Sequence, residues 1–243
     1  LKIMAIVQAR MGSTRLPGKV LKPILGKPML WHVVKRLYRA RRVDEVVVAT
    51  TTRAADYAIV SLCETEGWLS FRGSAEDVLD RYYQSALRYK AEVIVRITAD
   101  CPLIDPKTID QVIKEFVEAR PAVDYASNTL PPRTFPRGLD VEVMSMAALT
   151  RAWLEDTNPA WREHVTPYIY RNPKRFRLLG VYNSADFSGL RWTVDTFEDL
   201  TLVCKIFEHF GDNAFSWDAV CRLLAARPEW REINARVEQK VVP

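Results

Sequence analysis

The chain has 243 residues, of which 48% are hydrophobic and 27% charged, with a net charge of +5. That composition is ordinary for a globular protein and leaves room for one large α/β domain or two small ones. No apolar run approaches the ~18–20 residues that cross a bilayer, and the first residues lack the pattern of a signal peptide. Cys63, Cys101, Cys204 and Cys221 form no C-x-x-C pair. A cytoplasmic chain with reduced, mostly buried thiols and no membrane partner is therefore expected.

Ile3 to Val7 is a short apolar run with β-branched residues and reads as a buried strand. "QARMGSTRLPGK", Gln8 to Lys19, follows it. After "LGKP" an amphipathic helix is expected, with Met29, Leu30, Val33, Val34, Leu37 and Tyr38 on one face. "VDEVVVAT" is the next strand, then a helix from Ala54 to Glu66 stopped by Gly67. "WLSFRG" is a short strand. Glu76 to Lys90 is a helix with Val78, Leu79, Tyr82, Tyr83, Ala86 and Leu87 inward, and "EVIVRIT" is a strand. "DPKTIDQVIKEFVEA" is a helix with Pro106 in its first turn. The second half is less regular. "LPPRTFPRG" reads as an irregular loop and "LDVEVMS" as a strand; helices are expected at Met146–Glu155, Pro159–Arg171, Phe197–Phe210 and Ser216–Ala226. "FRLLGVYN" and "GLRWTVD" read as strands that could pair.

Strands alternating with helices argue for a layered α/β fold with a Rossmann-like, mostly parallel sheet flanked by helices. One domain over residues 1–243, with an insertion-like lobe at about 129–190, accounts for the pattern. Such sheets bind ligands beyond the C-terminal ends of their strands, where the quoted loop, Thr50–Thr52 and Ala99–Asp100 all fall.

Charge points to the same loop. From Leu1 to Val43 there are eleven Lys or Arg and no Asp or Glu, whereas the remainder has 24 basic and 30 acidic residues. A local basic cluster suits a polyanion. No helix-turn-helix, RRM or zinc-finger pattern accompanies it, so a nucleoside triphosphate fits better than nucleic acid. The loop is not a Walker loop: five residues separate Gly12 from Gly18, and Val20 stands where a hydroxyl should follow Lys19. G-x-G-x-x-G is absent too. On its residues alone the stretch is either a phosphate cradle, with amides at Gly12 to Thr14 and cations at Arg15 and Lys19, or a basic surface loop.

"QARMGSTRLPGK" resembles the N-terminal signature of the cytidylyltransferases that make CMP-activated sugars, the CMP-KDO synthetase and acylneuraminate cytidylyltransferase superfamily. "GSAEDVLDRYYQSA", "RITADCPLID", "TFPRGLDVEV", "REHVTPYIY" and "WTVDTFEDL" are similar, in order, to its SpsF-like branch of spore coat polysaccharide biosynthesis, across nearly the whole chain. Related guanylyltransferases carry Ala-Gly-Gly where this chain has Gln8-Ala9-Arg10. The resemblance implies the nucleotide-diphospho-sugar transferase fold, a magnesium cofactor, a homodimer, and transfer of CMP from CTP to a sugar or sugar acid with release of pyrophosphate. The alternatives are a glycosyltransferase using a nucleotide sugar, though no Asp-x-Asp occurs here, and transfer to a non-sugar acceptor such as a phosphonate.

It also implies residue roles. Arg15, Lys19, Asp100 and Asp195 would be catalytic, with Asp100 and Asp195 holding the metal. Ala9, Arg10, Gly12, Ser13, Thr14, Arg15, Lys19, Arg81 and Thr98 would bind the nucleotide; Thr98 replaces a base-reading glutamine of the KDO enzymes. By residue type alone, Asp100 could equally be a turn aspartate, and Asp195 or Thr196 the N-cap of the helix at 197–210. Acceptor candidates in the 129–190 stretch are Arg133, Arg137, Asp140, Glu142, Arg162, Glu163 and His164, whose basic members suit a carboxylate or phosphate. His164 is the best general-base candidate of the three histidines, although a metal could make a base unnecessary. The same stretch is the expected dimer contact.

Overall fold

The computed structural model describes residues 1–240. Its centre is a seven-stranded sheet. In chain order the strands are β1 (Ile3–Gln8), the short pair β2 (Pro23–Ile24) and β3 (Lys27–Pro28), β4 (Glu45–Thr51), β5 (Leu69–Gly73), β6 (Val93–Thr98), β7 (Tyr125–Ser127), β8 (Glu142–Ser145) and β9 (Leu178–Gly180). The large sheet runs β5-β4-β1-β6-β8-β7-β9. β5, β4, β1 and β6 are mutually parallel; β8 is antiparallel to β6 and β7, and β9 is parallel to β7. The helices are α1 (Met29–Leu37), α2 (Tyr57–Glu66), α3 (Val78–Arg88), α4 (Pro106–Glu118), α5 (Met146–Glu155), α6 (Pro159–His164), α7 (Pro167–Tyr170), α8 (Phe197–Phe210), α9 (Trp217–Ala226) and α10 (Pro228–Arg231). None of the described helices is long and apolar enough to cross a membrane.

The continuous apolar runs become the central strands because both faces of the sheet are covered. Along β1, Ile3, Ala5 and Val7 pack with α1 and α4. Met4 and Ile6, pointing the other way, pack with α3 and α5. A third core joins α8 and α9 to Leu16, Phe135, Trp192 and Val194. It is this third core that brings the chain's last quarter against the loop after β1.

Local signals set the element ends. Gly67 takes the left-handed conformation (φ 70°) that closes α2. Asp105 caps α4 ahead of Pro106. α3 starts at Val78, two residues later than expected, because extended Asp77 caps it by accepting from the Asp80 amide. Tyr38 and Leu87, expected inward, are exposed.

Two expectations need correction. Pro159–Arg171 is not one helix: Val165 adopts φ 71°, ψ −53° and splits it into α6 and α7. "GLRWTVD" is not a strand beside "FRLLGVYN". β9 pairs with β7, and the 189–195 segment instead bridges to Arg137 and bonds to Asp100. Residues 129–190 are partly woven into the main body, since β8 and β9 belong to the central sheet. β7 and the β2–β3 hairpin, turned at Leu25 and Gly26 with positive φ, carry no signal that the sequence reading used.

Candidate active site

The site forms where β1 and β6 end. Its floor is the 192–195 segment, which lies against the second residue after β6: the Val194 amide donates to the Asp100 carbonyl at 2.8 Å. The same segment passes close to Gly138 (φ 104°), where a Cβ would stand 2.6 Å from the Thr193 nitrogen. Asp100 and Asp195, distant in sequence, thus face one point. Lys19, at the end of the loop, fills that point. Its ammonium donates to Asp100 Oδ2 at 2.8 Å, to Asp195 Oδ1 at 2.9 Å and to the Val194 carbonyl at 2.8 Å. Arg15 reaches the other oxygen of Asp195 at 2.9 Å.

The charges tune one another. Burial works against the Asp100 carboxylate, but the Lys19 charge and hydrogen bond outweigh it and hold the group below its ordinary range. Burial likewise disfavours the Lys19 ammonium, and the two carboxylates overcome it, raising Lys19 above its ordinary value. Burial pushes the neighbouring Cys101 thiol well up, so it stays protonated. All four cysteines are free.

The loop itself is held by few bonds. The Met11 amide donates to Asp56 at 2.6 Å, and the amides of Ser13 and Gly18 both donate to the Met11 carbonyl. Among the described residues the amides of Gly12, Thr14 and Arg15 have no partner, and a Cβ at Gly12 would meet nothing within 4 Å. Three open N–H groups beside two cations suit an anion. Ser13 was expected to offer its amide as well; that group is already engaged.

Beyond the loop, a cavity of about 110 Å³ is lined by Gln8, Ala9, Arg10, Arg81, Glu163 and His164 among others. Arg81 is buried, donates to the Ser74 carbonyl at 2.9 Å, and leaves its Nε without a partner among the described residues. The Gln8 side-chain oxygen is likewise buried and unpartnered. Burial, then Arg96, pushes His164 below the ordinary histidine value. Arg10 and Glu163 form a half-exposed pair at 3.2 Å. Thr98, at the end of β6, shares a hydrogen bond with Cys101.

The remaining acceptor candidates divide. Arg133 grips Asp140 with two bonds, 2.7 and 3.0 Å. Arg137 lines a separate, larger cavity. Glu142 is buried on β8 between Arg96 and the Tyr125 hydroxyl, so both its oxygens are engaged. Arg162 donates to Asp77 and to the Trp153 and Asp156 carbonyls, which ties α6 to α5 and the start of α3. Glu142 and Arg162 therefore brace the scaffold in this structure rather than face an open groove.

Sequence reasoning missed the support of Asp195. Arg191 donates to Asp195 at 2.8 Å and to both oxygens of Asp199. Asp199 accepts from the amides of Asp195 and Thr196 and completes a capping box on α8. The N-cap is Thr196, which leaves the Asp195 side chain free for the site. Asn234 closes the set, donating to Asp199 at 2.8 Å and to the Arg191 carbonyl at 3.0 Å. The Thr196–Asp199 spacing was a readable capping signal; nothing in the sequence marks Asn234.

The cytidylyltransferase family model matches residues 4–218. An uncharacterized protein of Methanocaldococcus jannaschii is 37% identical, over 99% of this chain and 97% of its own. The spore coat polysaccharide biosynthesis protein SpsF of Bacillus subtilis is 33% identical over 87% of this chain and 88% of its own. A 3-deoxy-manno-octulosonate cytidylyltransferase of Geobacter sulfurreducens is 43% identical over about half of each chain, 51% and 48%. Among solved structures, a cytidylyltransferase of Leptospira borgpetersenii superposes with a TM-score of 0.92 at 32% identity over 99% of both chains. CMP-2-keto-3-deoxy-manno-octonic acid synthetase complexed with CTP, at 21% identity, shares the fold with a TM-score of 0.64 over 86% of this chain and 99% of its own. With that match, and with two carboxylates and a lysine gathered beside an open-amide loop, the chain belongs to the cytidylyltransferase family of CTP-dependent nucleotidyltransferases.

Proposed function

We propose that the protein transfers CMP from CTP to a sugar or sugar acid, with release of pyrophosphate, and that magnesium assists. The observation that carries this reading is the convergence of Asp100 and Asp195 on a single cation position, filled here by the Lys19 ammonium. Two hard carboxylate donors suit magnesium, which takes a few carboxylates and completes its shell from phosphate oxygens and water. When bound, magnesium supplies positive charge against the triphosphate and polarises it.

The chain's own residues do the rest. The open amides of Gly12, Thr14 and Arg15 and the side chains of Arg15 and Lys19 receive the triphosphate, with Lys19 exchanging carboxylate for phosphate oxygens. An acceptor hydroxyl attacks the α-phosphorus, and pyrophosphate leaves from the opposite side. Charge develops on phosphate oxygens, so fixed cations and oriented amides lower the barrier, and alignment supplies the remainder. The small cavity suits the base: the Gln8 oxygen accepts from an exocyclic amine, while Arg10 and Arg81 donate to ring acceptors, a pattern that cytosine presents. Glu163 and His164, on the same wall, belong to the nucleotide end or to an acceptor beside it. Burial keeps His164 neutral, as a proton acceptor must be.

The stretch 129–190, with Leu154 and Tyr182 exposed, is the proposed dimer contact, which light scattering on the purified chain tests. The activity is tested by supplying each of the four nucleoside triphosphates with a panel of sugars and sugar acids and following pyrophosphate. Release with CTP, dependent on both magnesium and an acceptor, is expected. Equal release with any other triphosphate, or none with CTP across the panel, counts against the reading.

A further inference from the structure

Residues 10–18 carry the open amides, yet very little fixes their backbone. Among the described residues, one hydrogen bond ties that backbone to a distant part of the chain: the Met11 N–H donates to Asp56 Oδ1 at 2.6 Å, across 45 positions. Asp56 immediately precedes α2 and is 2% exposed. Its second oxygen accepts from the hydroxyl of Thr51, at the end of β4, and that hydroxyl accepts in turn from the Arg53 amide at 3.1 Å. Both carboxylate oxygens are thus engaged, one with the sheet and one with the loop.

Met11 is the hub of the loop. Its carbonyl accepts from the amides of Ser13 at 2.9 Å and Gly18 at 3.1 Å, which closes the stretch 11–18 on itself. A trans peptide holds a C=O and the N–H that follows it on opposite sides. With the Met11 carbonyl turned into the loop, the Gly12 N–H is directed out of it, as the first of the open amides. Fixing Met11 therefore fixes the direction in which Gly12 donates. The other polar ties of the loop run through side chains, Arg10 to Glu163 and Arg15 to Asp195. A bound triphosphate draws on those guanidinium groups, whereas the buried Met11–Asp56 bond takes no part in the exchange. Donors held in place before their ligand arrives bind it without an ordering cost.

We propose that Asp56 is a positioning residue for nucleotidyl transfer: through Met11 it holds the loop in the form whose amides receive phosphate. The proposal rests on the reading of this loop as the triphosphate site. The role needs a hydrogen-bond acceptor at position 56 more than a charge. Asparagine keeps an oxygen for the Met11 amide and can donate to the Thr51 hydroxyl, so it should replace aspartate with little loss, and alanine should not. A carboxylate that served only to stabilise the fold would lower the melting temperature on removal and leave phosphate affinity alone.

The test uses the full chain. In the ligand-free protein, amide hydrogen exchange followed by NMR reports on Met11, Ser13 and Gly18. Inorganic tripolyphosphate and CTP, each with magnesium, are titrated separately by calorimetry. For Asp56→Ala, exchange at those amides is expected to quicken about tenfold or more while the amides of β4 keep the wild-type rate, and the affinity for both ligands to fall about tenfold. Asp56→Asn is expected to stay within about threefold of the wild type on both counts. Wild type that binds neither ligand withdraws the triphosphate reading, and this proposal with it. Binding by the wild type with unchanged affinity in Asp56→Ala overturns this proposal alone, as does an equal loss of affinity in the asparagine and alanine variants. Should Asp56→Ala fail to fold, Thr51→Val, which keeps the side chain's shape and deletes the hydroxyl that steadies Asp56, decides the matter. Faster exchange at Ser13 and Gly18 with weaker tripolyphosphate binding is expected there, and wild-type values for both overturn the proposal.

Discussion

Replacing Lys19 with methionine keeps the side chain's length and removes the cation that separates two carboxylates. The side chains of Lys19, Asp100 and Asp195 are 12%, 25% and 15% exposed, so this is a largely buried cluster. Breaking a buried ion pair by removing one partner costs ~3–5 kcal/mol. Water reaches part of Asp100, and Arg15 and Arg191 still hold Asp195, which reduces the expected loss to about 2–3 kcal/mol. At ~2–4 °C per kcal/mol for a chain of this size, the melting temperature falls by about 5–10 °C at pH 7.

The pH profile sharpens the test. In the wild type the Asp100 carboxyl titrates below its ordinary value of 3.8. Its contribution is therefore complete above that value and is lost as pH falls through the lowered one. Lys19, raised above 10.5, contributes fully below 10.5 and loses that contribution as pH rises through the raised value. In Lys19→Met the cation is gone and burial is left to push Asp100 up. The variant must then lose stability as pH rises through the carboxylate range, the reverse of the wild type. Magnesium should restore part of the melting temperature in the variant and shift the wild type less, because the ammonium no longer competes for the same oxygens. Scanning fluorimetry from pH 3 to 9, with and without magnesium chloride, reads all of this. A variant that melts within a degree of the wild type, with an identical acid limb and no added response to magnesium, refutes the cluster.

Asp100→Asn should leave the fold intact and lower CTP-dependent pyrophosphate release by ~10²-fold or more, the scale of losing a group that stabilises the transition state; full activity would remove Asp100 from the chemistry. Asn234→Ala deletes two hydrogen bonds, one to a charged carboxylate. It should cost about 1.5–3 kcal/mol in thermal unfolding and lower kcat more than it raises the KM for CTP. Glu142→Gln strands Arg96 in the interior and is expected to destabilise by ~3–5 kcal/mol, measured by urea denaturation. Gly138→Ala forces a Cβ against the Trp192–Thr193 backbone. It should reduce activity even in preparations that remain folded by circular dichroism, since the segment it displaces carries Asp195.

The central strands were legible because β1, β4 and β6 are buried on both faces, which forces continuous apolar runs. β7 was not, since a three-residue strand has no periodicity to detect. The break at Val165 has a counterpart in the sequence: Pro167 has no N–H to bond the carbonyl four residues back, which breaks or kinks a helix run across 159–171. "GLRWTVD" has strand composition, but its partners are a loop and a single carbonyl, and composition does not report partners. In the site, the loop and Asp100 stood out by their places after strands β1 and β6, and Asp195 by the family resemblance alone. Arg191 and Asn234 were not, because their role exists only once α8 and the C-terminal stretch have folded against each other. The Gln8 oxygen escaped notice for a similar reason, as nothing local distinguishes a buried, unpartnered amide.

The bond from Lys19 to Asp195 spans 176 positions, and Asn234 reaches back 43 positions to Arg191. The order of synthesis therefore matters. A nascent chain that has emerged as far as the end of the family match at residue 218 already owns the loop and both aspartates, yet lacks the residue that steadies Asp199 and Arg191. Such a fragment would hold Asp195 less firmly than a chain that includes Asn234, which makes the C-terminal stretch part of the support beneath the carboxylate pair.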